Sequence, residues 1–489
     1  MKHIAFLTGC CLYIFLTLQE VQAQSPCFPS QPTTAAYAQG GTSLYKEQVL
    51  WLTWGAELSN VDNYQYGRHD QPLNNGSGSY ASIPLGDGKY LCVEAVISNI
   101  SPGGEIKSYA PGNYGGDSMD DMYHIGGTDA SNQLVNGIKT SGQTVSFTIT
   151  CKARLDGIPV RLAGLVLGDA ESLNNSGEFF HVTADGTWNI VELKKNLANT
   201  APYMVEKTTE AGTTRQRIHF QKGNNDNTAA VSFLTFNSSA YGAFNDDYEV
   251  SFDVTLRGTG TTALALGLLT INADRGDAPE SYGAPLHLFD GTALSDDEIT
   301  MGVPENLNRP DYTPGALVSE PSTYLGSTGP DPDAVPLYSE DALGDDNDPD
   351  GPTNEEDAWP AAHKRWSYNA TYKKGNTIAV EIPYQGSANA RIVAWIDFNW
   401  NGEFEESERS STEAPAGTGT VILRWTIPEN RIAKSTYARI RYAVNEDEIL
   451  SPTTVASSGE VEDHFIYILG PATTNPMLPS KVKQPTQSP

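Results

Sequence analysis

Apolar residues in this chain recur at every second position, a period that suits a β-strand and not a helix. Val145, Phe147 and Ile149 alternate with Ser146, Thr148 and Thr150, and Val250, Phe252, Val254 and Leu256 alternate with Ser251, Asp253, Thr255 and Arg257. Val421, Leu423, Trp425 and Ile427 repeat the pattern near the C-terminus. Turns rich in Gly, Asn and Asp, such as 74–79 and 223–226, punctuate the runs. A strand with one apolar and one polar face belongs in a sheet that is buried on one side only. The pattern therefore predicts an all-β chain: two antiparallel β-sandwich domains, the larger first, joined by an acidic, loop-rich connector.

Composition locates the joints. From about residue 273 strand signals fade and prolines cluster, and Asp331 to Asp357 holds eleven Asp or Glu residues without a Lys or Arg. Patterning returns near Tyr368 and ends at Leu469. The expected organisation is a signal peptide at 1–23, a β-domain at 24–272, a connector at 273–364, a second β-domain at 365–470 and a flexible tail at 471–489. Lys2 and His3 followed by the apolar run Ile4 to Leu18 and by Val21-Gln-Ala23 read as an export signal. A lipoprotein-type box, Leu7-Thr-Gly-Cys10, is the alternative. No later segment approaches the ~20 apolar residues that cross a bilayer. A formal charge of −29 disfavours nucleic-acid partners and favours divalent cations.

Asp397 to Glu408 reads D-F-N-W-N-G-E-F-E-E-S-E, matching the calcium loop D-x-[DN]-x-[DN]-G-x5-E. Asp397, Asn399 and Asn401 would give side-chain oxygens, Glu403 its carbonyl, Glu405 a direct or water-mediated contact, and Glu408 both carboxylate oxygens. Oxygen donors without His or Cys point to Ca2+. The run before it, 391–396, is strand-like, so the expectation is a structural ion on β-structure. A weaker second set is Asp346, Asp348, Asp350 and Asp357, interrupted by Pro349.

Other candidates carry less chemistry. Beyond residue 23 the cysteines are Cys27, Cys92 and Cys151. Cys92 and Cys151 lie in strand-like runs and form a possible disulfide, with three free thiols as the alternative. The loop 108–117 and its surroundings offer Tyr109, Tyr114 and Tyr123 as ligand-contact residues. Glu460 and Glu462 share one strand face, as do Arg439 and Arg441, suggesting a cross-strand charge ladder. Arg275-Gly276-Asp277 spells a tripeptide read by adhesion receptors, although it overlaps a Gly-Asp-Ala-Pro element. There is no nucleophile triad, and the expectation is a chain that is not an enzyme.

Four motifs in order carry a family resemblance: Arg275-Gly-Asp-Ala-Pro-Glu-Ser-Tyr-Gly283, the acidic stretch from Tyr324-Leu-Gly326 to Gly351, Ala394 to Gly402, and Gly459-Glu-Val-Glu-Asp463. They resemble the GEVED-motif bacterial surface module. Trp51-Leu-Thr-Trp54, 164–172 with 176–178, and Asp185-Gly-Thr-Trp188 resemble the lectin-like, non-repetitive region of CshA-type fibrillar adhesins. The resemblance implies a secreted or cell-surface bacterial adhesin. Its lectin-like N-terminal domain would bind a host or bacterial surface glycan or protein, and a calcium-stabilised module would follow. The alternatives are a structural fibril or surface-layer component without a dedicated ligand, and a carbohydrate-active enzyme.

Overall fold

The computed structural model describes residues 27–470 except 29–34, 39, 56–66, 87, 112–118, 124–133, 171–172, 174–176, 199–200, 223–227, 242–246, 271, 290, 320, 334–335 and 345–354. The expected signal peptide, tail, Tyr114, Asp346, Asp348 and Asp350 thus lie outside the described residues. The fold is all-β. Among the described residues no helix is long and apolar enough to cross a membrane.

The N-terminal half is two sheet layers closed over a common core. One layer is built on the strands Lys89–Ser98, Thr144–Leu155 and Val250–Arg257, paired in antiparallel order. The other joins Gly164–Asp169, Ala229–Phe236 and Thr261–Leu269. A single long strand, Phe179–Lys194, serves both. Its first half pairs with Arg215–Lys222 and Val250–Arg257, and its second half, from Gly186, pairs with Ala229–Phe236. The predicted alternation is realised residue by residue: Val145, Phe147, Ile149 and Cys151 are fully or almost fully buried, while Ser146, Thr148 and Thr150 line the outer face. Val254, Leu256, Val182, Phe180 and Trp188 complete the core.

The smaller half is a second sandwich. Tyr324–Leu325, Thr377–Gly386 and Gly417–Thr426 make one sheet, and Arg365–Ser367, Glu460–Leu469, Thr436–Ala443, Ala390–Ile396 and Arg409–Ala414 the other. Ile378, Val380, Leu423 and Trp425 meet Ile392, Ile440 and Ile466 between them. The pairing is antiparallel except at an edge, where Arg365–Ser367 runs parallel to Glu460–Leu469.

Described parts of the 273–364 segment pair with both halves. Thr292–Leu294 and Leu317–Ser319 form a hairpin, and Glu305–Asn306 adds to Met204–Thr209 of the first half. Asn272–Arg275 pairs with Leu286–Phe289, which in turn runs parallel to Val455–Ala456 of the second.

Two sequence expectations are corrected here. The disulfide joins Cys27 to Cys92, not Cys92 to Cys151, and Cys151 is a buried free thiol. Strand geometry separates the expected pair: Cys151 points into the core between Ile149 and Ala153, whereas Cys92 points outward between the buried Leu91 and Val93. Nor do Glu460 and Glu462 meet Arg439 and Arg441. The register sets Arg439 opposite Asp463 and Arg441 opposite Val461, while Glu460 and Glu462 lie opposite Tyr442 and Ile440, on the other face of the sheet.

Candidate functional site

The loop at 397–408 follows directly on the strand Ala390–Ile396 and wraps around its own backbone. Asp397 is wholly buried, and its two oxygens accept hydrogen bonds from the amides of Trp400, Asn401 and Gly402. Asn399 Oδ1 accepts from the Asn401 amide at 2.9 Å, and Asn401 Oδ1 from the Glu403 amide at 3.0 Å. Gly402 sits at φ +81°, the left-handed conformation the tight turn needs. Glu408 closes the loop: Oε1 accepts from the Phe398 amide at 2.8 Å, and Oε2 from the Glu405 amide at 3.2 Å. The structure therefore brings Asp397, Asn399, Asn401, Glu403, Glu405 and Glu408 into one short loop. Glu405 is engaged from the side by Asn399 Nδ2 at 2.7 Å. Burial, followed by the neighbouring Asp397 charge, pushes the Glu408 carboxyl up to about 7. Tyr282 reaches in from the 273–364 segment and donates its hydroxyl to Asp397 at 2.6 Å.

Of the weaker acidic set only Asp357 is described. Its carboxylate accepts from the Ser327 amide at 2.7 Å and from Thr328 Oγ1 at 3.2 Å, which fixes a turn. Tyr109 and Tyr123 are core residues and not contact surface. Tyr123 lies edge-on to Trp51 at 5.0 Å and donates to Glu192, and Tyr109 is 7% exposed. In the Arg275-Gly276-Asp277 tripeptide, Gly276 and Asp277 are buried and Arg275 is half-buried. Asp277 is fully buried and accepts from the Gly344 amide, and a Cβ on Gly276 would stand 2.7 Å from Asp463 Oδ2.

The Gly459–Asp463 segment works through its carboxylates in a way its sequence does not announce. Glu460 accepts from the Leu325 amide at 2.6 Å, Glu462 from the Ala358 amide at 2.9 Å, and Asp463 from the Ala278 amide at 2.9 Å. In return Asp274 accepts from the Val461 amide at 2.6 Å. Acids on both faces of one strand thus hold three separate segments, at Leu325, Ala358 and Ala278, against it by carboxyl-to-amide hydrogen bonds. Burial, then the Glu462 and Asp274 carboxylates, raises Glu460 well above the ordinary carboxylate range. His464 Nε2 lies 2.9 Å from Glu462 and its Nδ1 4.0 Å from Glu356. One ligand atom from each of Glu356, Glu462 and His464 comes within 4.8 Å of the others, an arrangement that could hold a metal ion. Sequence reasoning missed Glu356 and His464 because 356 and 464 are joined only by the fold.

A second feature missed in the sequence is a cleft of about 560 Å³ on the outer face of the N-terminal domain. The Cys27–Cys92 disulfide forms part of its wall, with Phe28 and Tyr90 as aromatic surfaces and Glu94, Lys152 and Arg154 as charged ones. Lys152 and Glu94 pair at 2.6 Å, and Arg154 pairs with Asp247 at 2.9 Å. The outward positions of Lys89–Ser98 and Thr144–Leu155 supply these groups, so alternation was the available signal.

Comparison with known proteins follows the two halves. Residues 47–269 match the family described as surface adhesin CshA non-repetitive domain 2, and residues 391–467 match the GEVED domain. No curated protein matches the sequence. Among solved structures, the crystal structure of the N-terminal domain of the Streptococcus gordonii adhesin Sgo0707 is similar over 89% of this chain and 94% of that one. The identity is 8% and the TM-score 0.27, too remote for properties of that protein to be carried over. The chain is thus similar, over 47–269, to surface adhesin CshA non-repetitive domain 2 and, over 391–467, to the GEVED domain.

Proposed function

We propose that the protein is a surface adhesin, acting at or outside the cell surface, whose N-terminal domain binds a glycan or protein ligand. The match of residues 47–269 to an adhesin domain carries this reading. The cleft bearing Phe28, Tyr90, Glu94, Lys152 and Arg154 is the contact site that best suits it, because aromatic faces and paired charges on a concave surface recognise sugars and polar peptides. Binding, not catalysis, is the favoured activity: the two carboxylates that line the cleft, Glu94 and Asp156, are each paired with a lysine, Lys152 and Lys89. Glycan and matrix-protein arrays probed with the protein test the reading. Binding to a defined subset, weakened tenfold or more by Tyr90→Ala or Lys152→Glu, is expected. Uniformly blank arrays would favour a purely structural surface component.

The 397–408 loop is read as a Ca2+ site that stiffens the GEVED domain. Supporting this, the donor set is all oxygen, Asp397 and Glu408 are buried together, and amides instead of cationic side chains meet their carboxylates. A divalent cation would neutralise that concentration of charge. The protein's own part would be to present Asp397, Asn399, Asn401 and Glu408, whose oxygens are already oriented by hydrogen bonds from loop amides.

A further inference from the structure

Lys207 is a lysine at a core position. In the strand Met204–Thr209 it follows Val205 on the inward face and is 5% exposed. Its ammonium lies 3.0 Å from Asn189 Oδ1, 3.0 Å from the Trp188 carbonyl and 2.6 Å from Asp297 Oδ1. Asn189 is 1% exposed, and the Asp297 side chain is completely shielded from solvent. The three residues come from three segments. Asn189 sits on the half of Phe179–Lys194 that belongs to one sheet layer, Lys207 belongs to the other layer, and Asp297 lies in the loop after Thr292–Leu294.

The detail of the contacts is reactive as well as structural. Asn189 Oδ1 receives both the Lys207 ammonium and, at 3.4 Å, the Asp297 amide, so the side-chain carbonyl is polarised by two donors. Asn189 Nδ2 is buried and makes no hydrogen bond. Asp297 is held rigidly by the amides of Ile190 at 2.7 Å and Ile299 at 3.0 Å, with one oxygen directly on the amine. An amino group, a polarised amide carbon and a carboxylate able to move protons are thereby held together in a buried site.

We propose that Lys207 and Asn189 form an intramolecular isopeptide bond, promoted by Asp297. The Asp297 carboxylate takes a proton from the Lys207 ammonium, and the freed amine attacks Asn189 Cγ to give a tetrahedral adduct. Asp297 then returns its proton to Nδ2. The Cγ–Nδ2 bond breaks, and the Nζ–Cγ amide remains. The nitrogen of Asn189 departs as ammonia and leaves as ammonium with the proton released from Nζ. The balance is R–NH3+ plus R′–CONH2 giving R′–CO–NH–R plus NH4+, with no oxidant and with Asp297 regenerated. The product ties the two layers of the N-terminal sandwich together covalently, next to the 292–319 hairpin. In a protein that grips a surface under load, that link stops the layers from shearing apart.

Mass spectrometry of the purified full chain decides the matter. After reduction of the Cys27–Cys92 disulfide, the wild type should weigh about 17 Da, one ammonia, less than the sum of its residues. Proteolysis should yield one branched peptide joining the Asn189 and Lys207 segments, which distinguishes the bond from ammonia lost elsewhere. Asn189→Ala, Lys207→Met and Asp297→Ala should each return those segments as separate peptides. If the wild type yields Asn189 and Lys207 only in separate, unmodified peptides, the proposal fails and the group is an ion pair alone. That readout requires no variant to fold.

Discussion

Arg439 and Asp463 stand opposite each other on adjacent strands, joined by two 2.7 Å hydrogen bonds, with neither side chain exposed to solvent. The remaining guanidinium protons go to the carbonyls of Tyr282, Gly283 and Pro452, so the pair also anchors the 282–283 turn. Asp463→Asn leaves Arg439 charged and buried with half its partner's attraction removed. Breaking such a pair from one side costs about 3–5 kcal/mol. Chemical denaturation should show a loss of that size in the C-terminal transition. A loss below about 1 kcal/mol, the value of a surface pair, would mean the site is hydrated in solution.

The disulfide gives a second, independent test. Cys27 and Cys92 are 65 residues apart in sequence, a span for which chain entropy alone assigns about 4 kcal/mol to the cross-link. Cys92→Ser should lower the N-terminal domain's stability by that order and loosen the cleft beside it. Cys151, which burial holds well above the ordinary thiol range, should resist alkylation until the protein unfolds. Titrating thiols before and after denaturant checks both points in one experiment.

How much of this was legible in the sequence follows from what a period of two can encode. Alternation assigns faces, and it gave the sandwich class and the inward set Val145, Phe147 and Ile149 correctly. Applied to Leu91-Cys92-Val93 and Ile149-Thr150-Cys151, the same rule places the two cysteines on opposite faces. Register is different. Whether Arg439 meets Glu462 or Asp463 depends on a slip of one residue between strands, and nothing local fixes it. The 273–364 segment was legible only as acidic and loop-rich. Its order comes from carboxylate-to-amide bonds such as Glu460 to Leu325, made between residues 135 apart, which leave no periodic trace. The 397–408 loop was legible as a tight turn because the side-chain-to-amide bonds that shape it, from Asp397, Asn399, Asn401 and Glu408, stay within the loop. Its contact with Tyr282 was not.

A pH prediction follows from the outer face of the first domain. His181 and His219 are direct cross-strand partners with rings stacked 5.6 Å apart, and Phe179 stacks on both. Burial, then the charges of Arg217 and His219, pulls His181 down to about 4. His219 is also lowered by burial, with Glu206 opposing and Arg217 reinforcing the shift. Between the unfolded value near 6.5 and about 4 the unfolded chain binds a proton at His181 that the folded chain does not. Stability should therefore be full above pH 6.5, fall as pH drops toward 4, and level off below. The ring is partly exposed, so the slope should be shallower than the ~1.4 kcal/mol per pH unit of a fully buried group. Comparing wild type with His181→Gln by thermal unfolding isolates this contribution from the carboxylates, and parallel curves would contradict it.

The ion expected in the 397–408 loop should act on stability, and its effect should depend on residues already bonded there. A ligand present at 100 times its Kd stabilises the form that binds it by about 2.7 kcal/mol. Calcium should therefore raise the unfolding temperature of the C-terminal domain, and a chelator should reverse the rise. Asp397→Ala is a blunt test, because it also strips acceptors from the Trp400, Asn401 and Gly402 amides and would destabilise the loop without any ion. Glu408→Gln is sharper. It keeps the shape and the acceptor for the Phe398 amide, gives up only the longer bond from the Glu405 amide and removes the carboxylate, so the variant should fold and lose most of the calcium response. Trp400, 44% exposed within the loop with the Lys434 ammonium 3.7 Å above its ring, offers a direct readout. Terbium in place of calcium should emit on excitation of that indole, and calcium should quench the emission by competition. If wild type and Glu408→Gln respond alike to calcium, and terbium emission is absent, the loop is an acidic turn held by its own amides and binds no ion.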